Sequence, residues 1–136
     1  PGVRLPVFDL PWGRVALAVC YDLRFPELWR RYADGGAQFV IIPAEWPIRR
    51  VEHWSLLLRA RAVENQFFVA GCNRAGAGPD GEFGGHSAAV DPWARVLVEG
   101  GEEQGLSVAI LDLEEVARSR HLFPFLQDRR PEVYGR

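Results

Sequence analysis

Two thiols and three imidazoles, Cys20, Cys72, His53, His86 and His121, are the groups in this chain suited to nucleophilic or metal chemistry. Cys20 stands apart by its setting. It follows Val15-Ala16-Leu17-Ala18-Val19, a short continuous apolar run of the kind that forms a strand buried on both faces. In an open α/β sheet, the loop edge just past the carboxyl end of such a strand is where nucleophiles and ligands are presented. A free thiol has a pKa of about 8.5, so a nucleophilic Cys needs a base, and the oxyanion it creates needs positioned donors. The competing reading of Cys20 is a small buried hydrophobe, because free Cys is among the most buried residue types. Cys72 ends another apolar segment and reads as a buried structural thiol. No Cys or His pair has the short spacing of a metal site, so neither metal nor cofactor is expected.

The elements that must position these groups can be read from periodicity. Pro26-Glu27 opens a helix in which Leu28, Trp29 and Tyr32 recur at helical spacing, and Gly35-Gly36 supplies its stop. Phe39 to Ile42 predicts a second buried strand ended by Pro43, and Phe67 to Cys72 a third. Between them the pattern predicts a helix from Val51 to Asn65. Trp54, Leu57, Leu58, Arg61 and Ala62 mark one face of it and Leu56, Ala60 and Val63 a second, so it should pack on two sides. Ala75 to Gly85 reads as a long Gly-rich loop. Ser87 to Val90, Val96 to Glu99 and Leu106 to Leu111 read as further, hairpin-connected strands, and His121 to Arg136 as an extended tail. The order is βαβαβ followed by a β-rich end, an α/β class. If the first three strands are parallel neighbours, Glu45 and Trp46 share the sheet edge with Cys20 and become candidate substrate-binding residues.

Composition narrows the function classes. With 136 residues, 48% hydrophobic and 25% charged, the chain has the balance of a soluble globular protein and a length that suggests one domain. A net charge of −2 and the absence of a basic stripe argue against a nucleic-acid partner. No apolar run reaches the roughly 18 residues of a membrane span, and no signal peptide is visible, so a cytoplasmic protein with no membrane partner is expected. Two Cys do not make a disulfide framework, and reduced thiols are expected. All 16 basic residues are Arg, and the chain contains no Lys, Met or Thr. The missing Met leaves open a removed initiator or a piece of a longer chain.

The segment Arg14-Val15-Ala16-Leu17-Ala18-Val19-Cys20-Tyr21-Asp22-Leu23-Arg24-Phe25-Pro26-Glu27-Leu28 resembles the nucleophile segment of the nitrilase superfamily, the carbon–nitrogen hydrolases. The likeness continues through Ile42-Pro43-Ala44-Glu45-Trp46-Pro47, His53-Trp54, Leu57 to Gln66, Gly71-Cys72-Asn73-Arg74, Gly85-His86-Ser87, Asp91-Pro92 and Asp128 to Tyr134, and is nearest to the amidase branch with its omega-amidases. The resemblance implies an α/β fold, the C-terminal half of a four-layer α-β-β-α sandwich of the nitrilase type. Residues 1–136 are then a carbon–nitrogen hydrolase domain incomplete at its N-terminus, with the missing N-terminal half expected in cis. It implies Cys20 as nucleophile toward a small amide through a thioester, with the Tyr21 backbone N–H as an oxyanion donor. In the family a Glu base, a Lys oxyanion donor and a second Glu precede the nucleophile by more than the 19 residues found here, so the isolated chain is expected to be inactive. The helices near Pro26 and Val51 match the family's dimer surface, which implies a homodimer.

Glu45 departs from relatives that carry Asn or Ser, and a carboxylate there is expected to disfavour an anionic substrate group. Glu64, with Arg59 and Arg61 near it, reads as a structural ion pair rather than a substitute base. Two alternatives stand beside the amidase reading. One is a Cys–His hydrolase in which His53 or His86 activates Cys20. The other is a non-catalytic fragment acting as an interaction module.

Overall fold

In the computed structural model, which describes residues 3–134, eight strands and four helices follow one another. The strands are β1 (Val7–Leu10), β2 (Gly13–Leu17), β3 (Phe39–Ala44), β4 (Phe68–Asn73), β5 (Ala75–Gly78), β6 (Gly81–Gly84), β7 (Ala88–Val90) and β8 (Val96–Glu99). The helices are α1 (Pro26–Asp34), α2 (Val51–Asn65), α3 (Glu114–Leu122) and α4 (Pro131–Tyr134). Six strands form one sheet in the order β1-β2-β3-β4-β7-β8, and β5 and β6 form a separate hairpin. β2, β3 and β4 are mutually parallel, with Ala16 beside Val40 and Val40 beside Val69. The outer pairings are antiparallel.

Parallel neighbours require crossovers, and α1 and α2 are those crossovers. Both cover one face of the sheet, where Trp29, Trp54, Leu58, Val40, Ile42 and Val69 make a core with no exposed surface. α2 lies so close to β4 that a Cβ on Gly71 would come 2.5 Å from the Trp54 ring and 2.8 Å from Leu58. The other face of β3 and β4, with Phe39, Ile41, Ala70 and Cys72, looks into a cavity of about 690 Å³ lined on its far side by Leu106, Ser107, Ala109 and Leu111.

Several sequence expectations are corrected. Pro43 does not end the second strand but lies inside β3. β2 pairs only as far as Leu17 beside Ile41, so at Pro43 the strand is already an edge on that side and no N–H is required there. Ala75 to Gly85 is not a loop but largely the β5–β6 hairpin, turned through Pro79-Asp80 into Gly81 at φ 123°. Leu106 to Leu111 forms no ladder. Its side chains still alternate, with Leu106, Val108 and Ile110 at 90%, 76% and 94% exposure, but no described strand lies beside it to accept the pairing. Over its described residues, His121 to Tyr134, the closing segment is helical in pieces rather than extended, with the end of α3, a 3-10 turn at Phe125–Asp128 and α4, and Gly135 and Arg136 lie outside the described residues. Cys72 is exposed rather than buried, because β4 turns Val69 and Gly71 toward the helices and Cys72 toward the opposite face. The second apolar stripe of α2 is uncovered, with Leu56 66% and Val63 39% exposed.

The tight α2–β4 contact gives a direct test. Gly71→Ala is expected to destabilise the protein by about 1–3 kcal/mol, the usual range for overpacking, read from the urea unfolding midpoint.

Candidate active site

The site begins where β2 leaves the sheet. The Ala18 N–H still donates to the Ile41 carbonyl at 3.0 Å. Two residues later Cys20 takes φ 44°, in the left-handed region, and starts a 3-10 turn from Cys20 to Arg24. Such a conformation costs a non-Gly residue about 1–3 kcal/mol and persists where its surroundings fix it. Four hydrogen bonds do so. The Val19 N–H donates to Asp22 Oδ2 at 2.9 Å, and the Trp29 indole N–H to the Asp22 carbonyl at 2.9 Å. Tyr32 donates its hydroxyl to the Leu17 carbonyl at 2.6 Å. Burial, and then the nearby Asp22, push the Tyr32 pKa up, which keeps that hydroxyl a donor. The fourth bond comes from α2, where the buried Arg61 donates Nε to the Leu23 carbonyl at 3.0 Å while its Nη1 meets Glu64 Oε1 at 2.7 Å.

Because β2, β3 and β4 are parallel, the segments that leave their carboxyl ends emerge together. Cys20, Tyr21, Arg24, Glu45, Trp46, Pro47 and Arg50 line a cleft of about 450 Å³. The four residues singled out from sequence, Cys20, Tyr21, Glu45 and Trp46, are therefore brought to one place. Trp46 is also a packed core residue, 3% exposed, with its ring 5.6 Å from that of Trp54 and its indole N–H on the Arg50 carbonyl at 2.6 Å. The Arg24 guanidinium lies 4.7 Å from the Trp46 ring centre. Glu45 meets Arg74 Nη1 at 2.9 Å.

Residues that the sequence did not single out complete the frame. Asn73, at the end of β4, is buried. Its Oδ1 accepts from the Trp46 N–H at 2.6 Å and its Nδ2 donates to the Gly85 carbonyl at 2.7 Å, so it ties the cleft segment after β3 to β4. Arg61 carried a readable signal, since an Arg among the core positions of an otherwise apolar helix face must have partners. Asn73 and Arg74 carried none beyond their place at a strand end and in the Gly71-Cys72-Asn73-Arg74 motif. Neither His53 nor His86 lines the cleft with Cys20. His86 Nδ1 instead pairs with Glu99 at 2.8 Å, and Glu64 is held by Arg61. Among the described residues, no three His, Cys, Asp or Glu side chains are grouped so that they could hold a metal, and no helix is long and apolar enough to cross a membrane.

Arg61→Met is expected to leave the Leu23 carbonyl and Glu64 without their partner and to lower stability by about 1–3 kcal/mol in chemical unfolding. Arg61→Lys should not recover it, because one ammonium does not reproduce the planar fork.

The family model for carbon-nitrogen hydrolase matches residues 1–121. The chain is 49% identical over 127 residues to the 2-oxoglutaramate amidase of Bacillus subtilis (strain 168), covering 93% of this chain and 49% of that protein. It is 38% identical over 136 residues to omega-amidase NIT2 of Mus musculus, covering 98% of this chain and 49% of that protein. The fold matches the crystal structure of a nitrilase-superfamily amidase from Nesterenkonia sp. AN1, in which acrylamide has added to the active-site cysteine. There the TM-score is 0.85 at 36% identity, covering 98% of this chain and 49% of that one. The chain thus spans about half the length of the curated relatives it matches.

Proposed function

The chain belongs to the carbon-nitrogen hydrolase family, and from that premise we propose that it supplies the nucleophile and part of the substrate cleft of an amidase acting on a small amide. The observation that carries this reading is Cys20 in its pinned left-handed turn, at the carboxyl edge of three parallel strands and inside a cleft. The Cys20 sulfur attacks the amide carbonyl carbon, and the carbonyl oxygen takes up the charge of a tetrahedral intermediate. Collapse of that intermediate, with the proton taken from the Cys20 thiol by the base passed to the departing nitrogen, breaks the C–N bond, releases ammonia and leaves a thioester, which water hydrolyses to the acid and the free thiol. The Tyr21 N–H lies in the first turn of its 3-10 helix, where such groups lack an intrahelical acceptor, and is the proposed oxyanion donor within this chain. Glu45 and Trp46 are the proposed substrate-binding residues.

The base and a cationic oxyanion donor are proposed to come from residues outside these 136, in keeping with the half of each relative's length that this chain does not cover. The face of β3 and β4 above Phe39 and Ile41, and the exposed Leu106, Val108 and Ile110, support a further half of the protein packing there. The uncovered Leu56 and Val63 of α2 support a homodimer across α1 and α2.

The complete protein carrying this chain is expected to release ammonia from small amides, and the 136-residue chain alone to release none. Cys20→Ala should abolish the activity and the acyl adduct seen by mass spectrometry on Cys20, while His53→Ala and His86→Ala should leave ammonia release within about twofold. Undiminished turnover in Cys20→Ala would overturn the assignment.

A further inference from the structure

We propose that Arg74 is a specificity-determining residue: by neutralising Glu45 at the Cys20 cleft, it admits amides that carry a carboxylate of their own. This rests on the amidase reading and adds the charge class of the substrate. Glu45 lines the cleft with its side chain 61% exposed. Unpaired, that carboxylate would repel an anionic substrate, as its identity alone suggested. The structure sets the Arg74 guanidinium 2.9 Å from Glu45 Oε1.

An ordinary surface ion pair gains little, because two long side chains must be ordered to make it. Arg74 is ordered by other contacts. Its backbone N–H donates to the Ala44 carbonyl at 2.9 Å, which fixes its Cα at the end of β4 beside the Glu45 segment. Its guanidinium carbon lies 4.4 Å from the ring centre of Phe83, a buried residue of β6. Phe83 is bridged to Pro47 on the cleft wall. A Cβ at Gly78 would overlap the guanidinium, so the hairpin backbone leaves room for this side chain and little else. The other charged side chains lining the cleft, Arg24 and Arg50, are cations. With Glu45 compensated, no free carboxylate among the described lining residues opposes an anion near Cys20.

The test compares alkylation of Cys20 by iodoacetate, an anion, and iodoacetamide, its neutral counterpart, in the complete protein, reading the Cys20 peptide by mass. Arg74→Met is expected to lower the iodoacetate-to-iodoacetamide rate ratio about fivefold, the scale of one uncompensated unit charge in a solvent-screened cleft. Adding Glu45→Gln to that variant should return the ratio to within about twofold of the unsubstituted protein. In Arg74→Met kcat/KM for an ω-amide acid should fall against that for its uncharged isostere by a similar factor, and in the double variant it should recover. An unchanged ratio in Arg74→Met, an equal fall with both reagents, or a fall that Glu45→Gln does not reverse would each overturn the proposal. Absence of amide hydrolysis by the unsubstituted protein would instead defeat the amidase reading, which the alkylation ratio does not depend on.

Discussion

Parallel pairing of β3 with a neighbour on each side sets the position of every group in the cleft. Leu17 lies beside Ile41 and Ala44 beside Asn73, so the segments after β2, β3 and β4 leave the sheet at one edge and in one direction. Had β2 run the other way, Cys20 would have emerged about 15–20 Å away, a strand's length from Glu45 and Trp46. The same pairing demands the two crossover helices. They seat Trp29 and Trp54 beneath the sheet, and they bring Arg61 within reach of the turn that carries Cys20.

Arginine does work here that lysine could not. Arg61 serves a carbonyl and a carboxylate at once. Arg24 and Arg74 each lie over an aromatic ring, and Arg74 also pairs with a carboxylate. Arg120 spans the carbonyls of Ala37 and Asn65 and so docks α3 onto the ends of α1 and α2, although burial pushes its pKa down. A planar fork with five donors can divide itself among such partners, whereas an ammonium is a point charge. The positions of these residues therefore give structural meaning to a composition in which every basic side chain is arginine.

What was legible in the sequence followed from signals that local chemistry enforces. α2 runs from Val51 to Asn65 as its apolar spacing predicted, and α1 opens at Pro26 and stops before Gly35-Gly36. The three parallel strands were visible as continuous apolar runs, and the family was legible in the residues around Cys20. Other features were hidden because they depend on partners far away in sequence. Leu106 to Leu111 alternates as a strand should, but a strand is a relation between two segments and no described segment pairs with it. The β5–β6 hairpin is built largely of Gly and Ala, whose side chains give no alternation to read, and only Pro79-Asp80-Gly81 marks its turn. The Glu45–Arg74 pair joins positions that nothing in their local sequence connects.

Pro43 carries one more consequence. It stands in β3 beside the point where β2 has turned away toward Cys20, and it has no N–H to offer on that side. An extended polypeptide arriving at this edge would find its ladder broken at Pro43, so strand addition, the usual way in which a sheet edge captures a peptide backbone, has no footing there. A small molecule held by side chains loses nothing by that gap. The imino acid inside the strand thus closes this edge to extended chains while leaving the cleft beside it open to compact molecules.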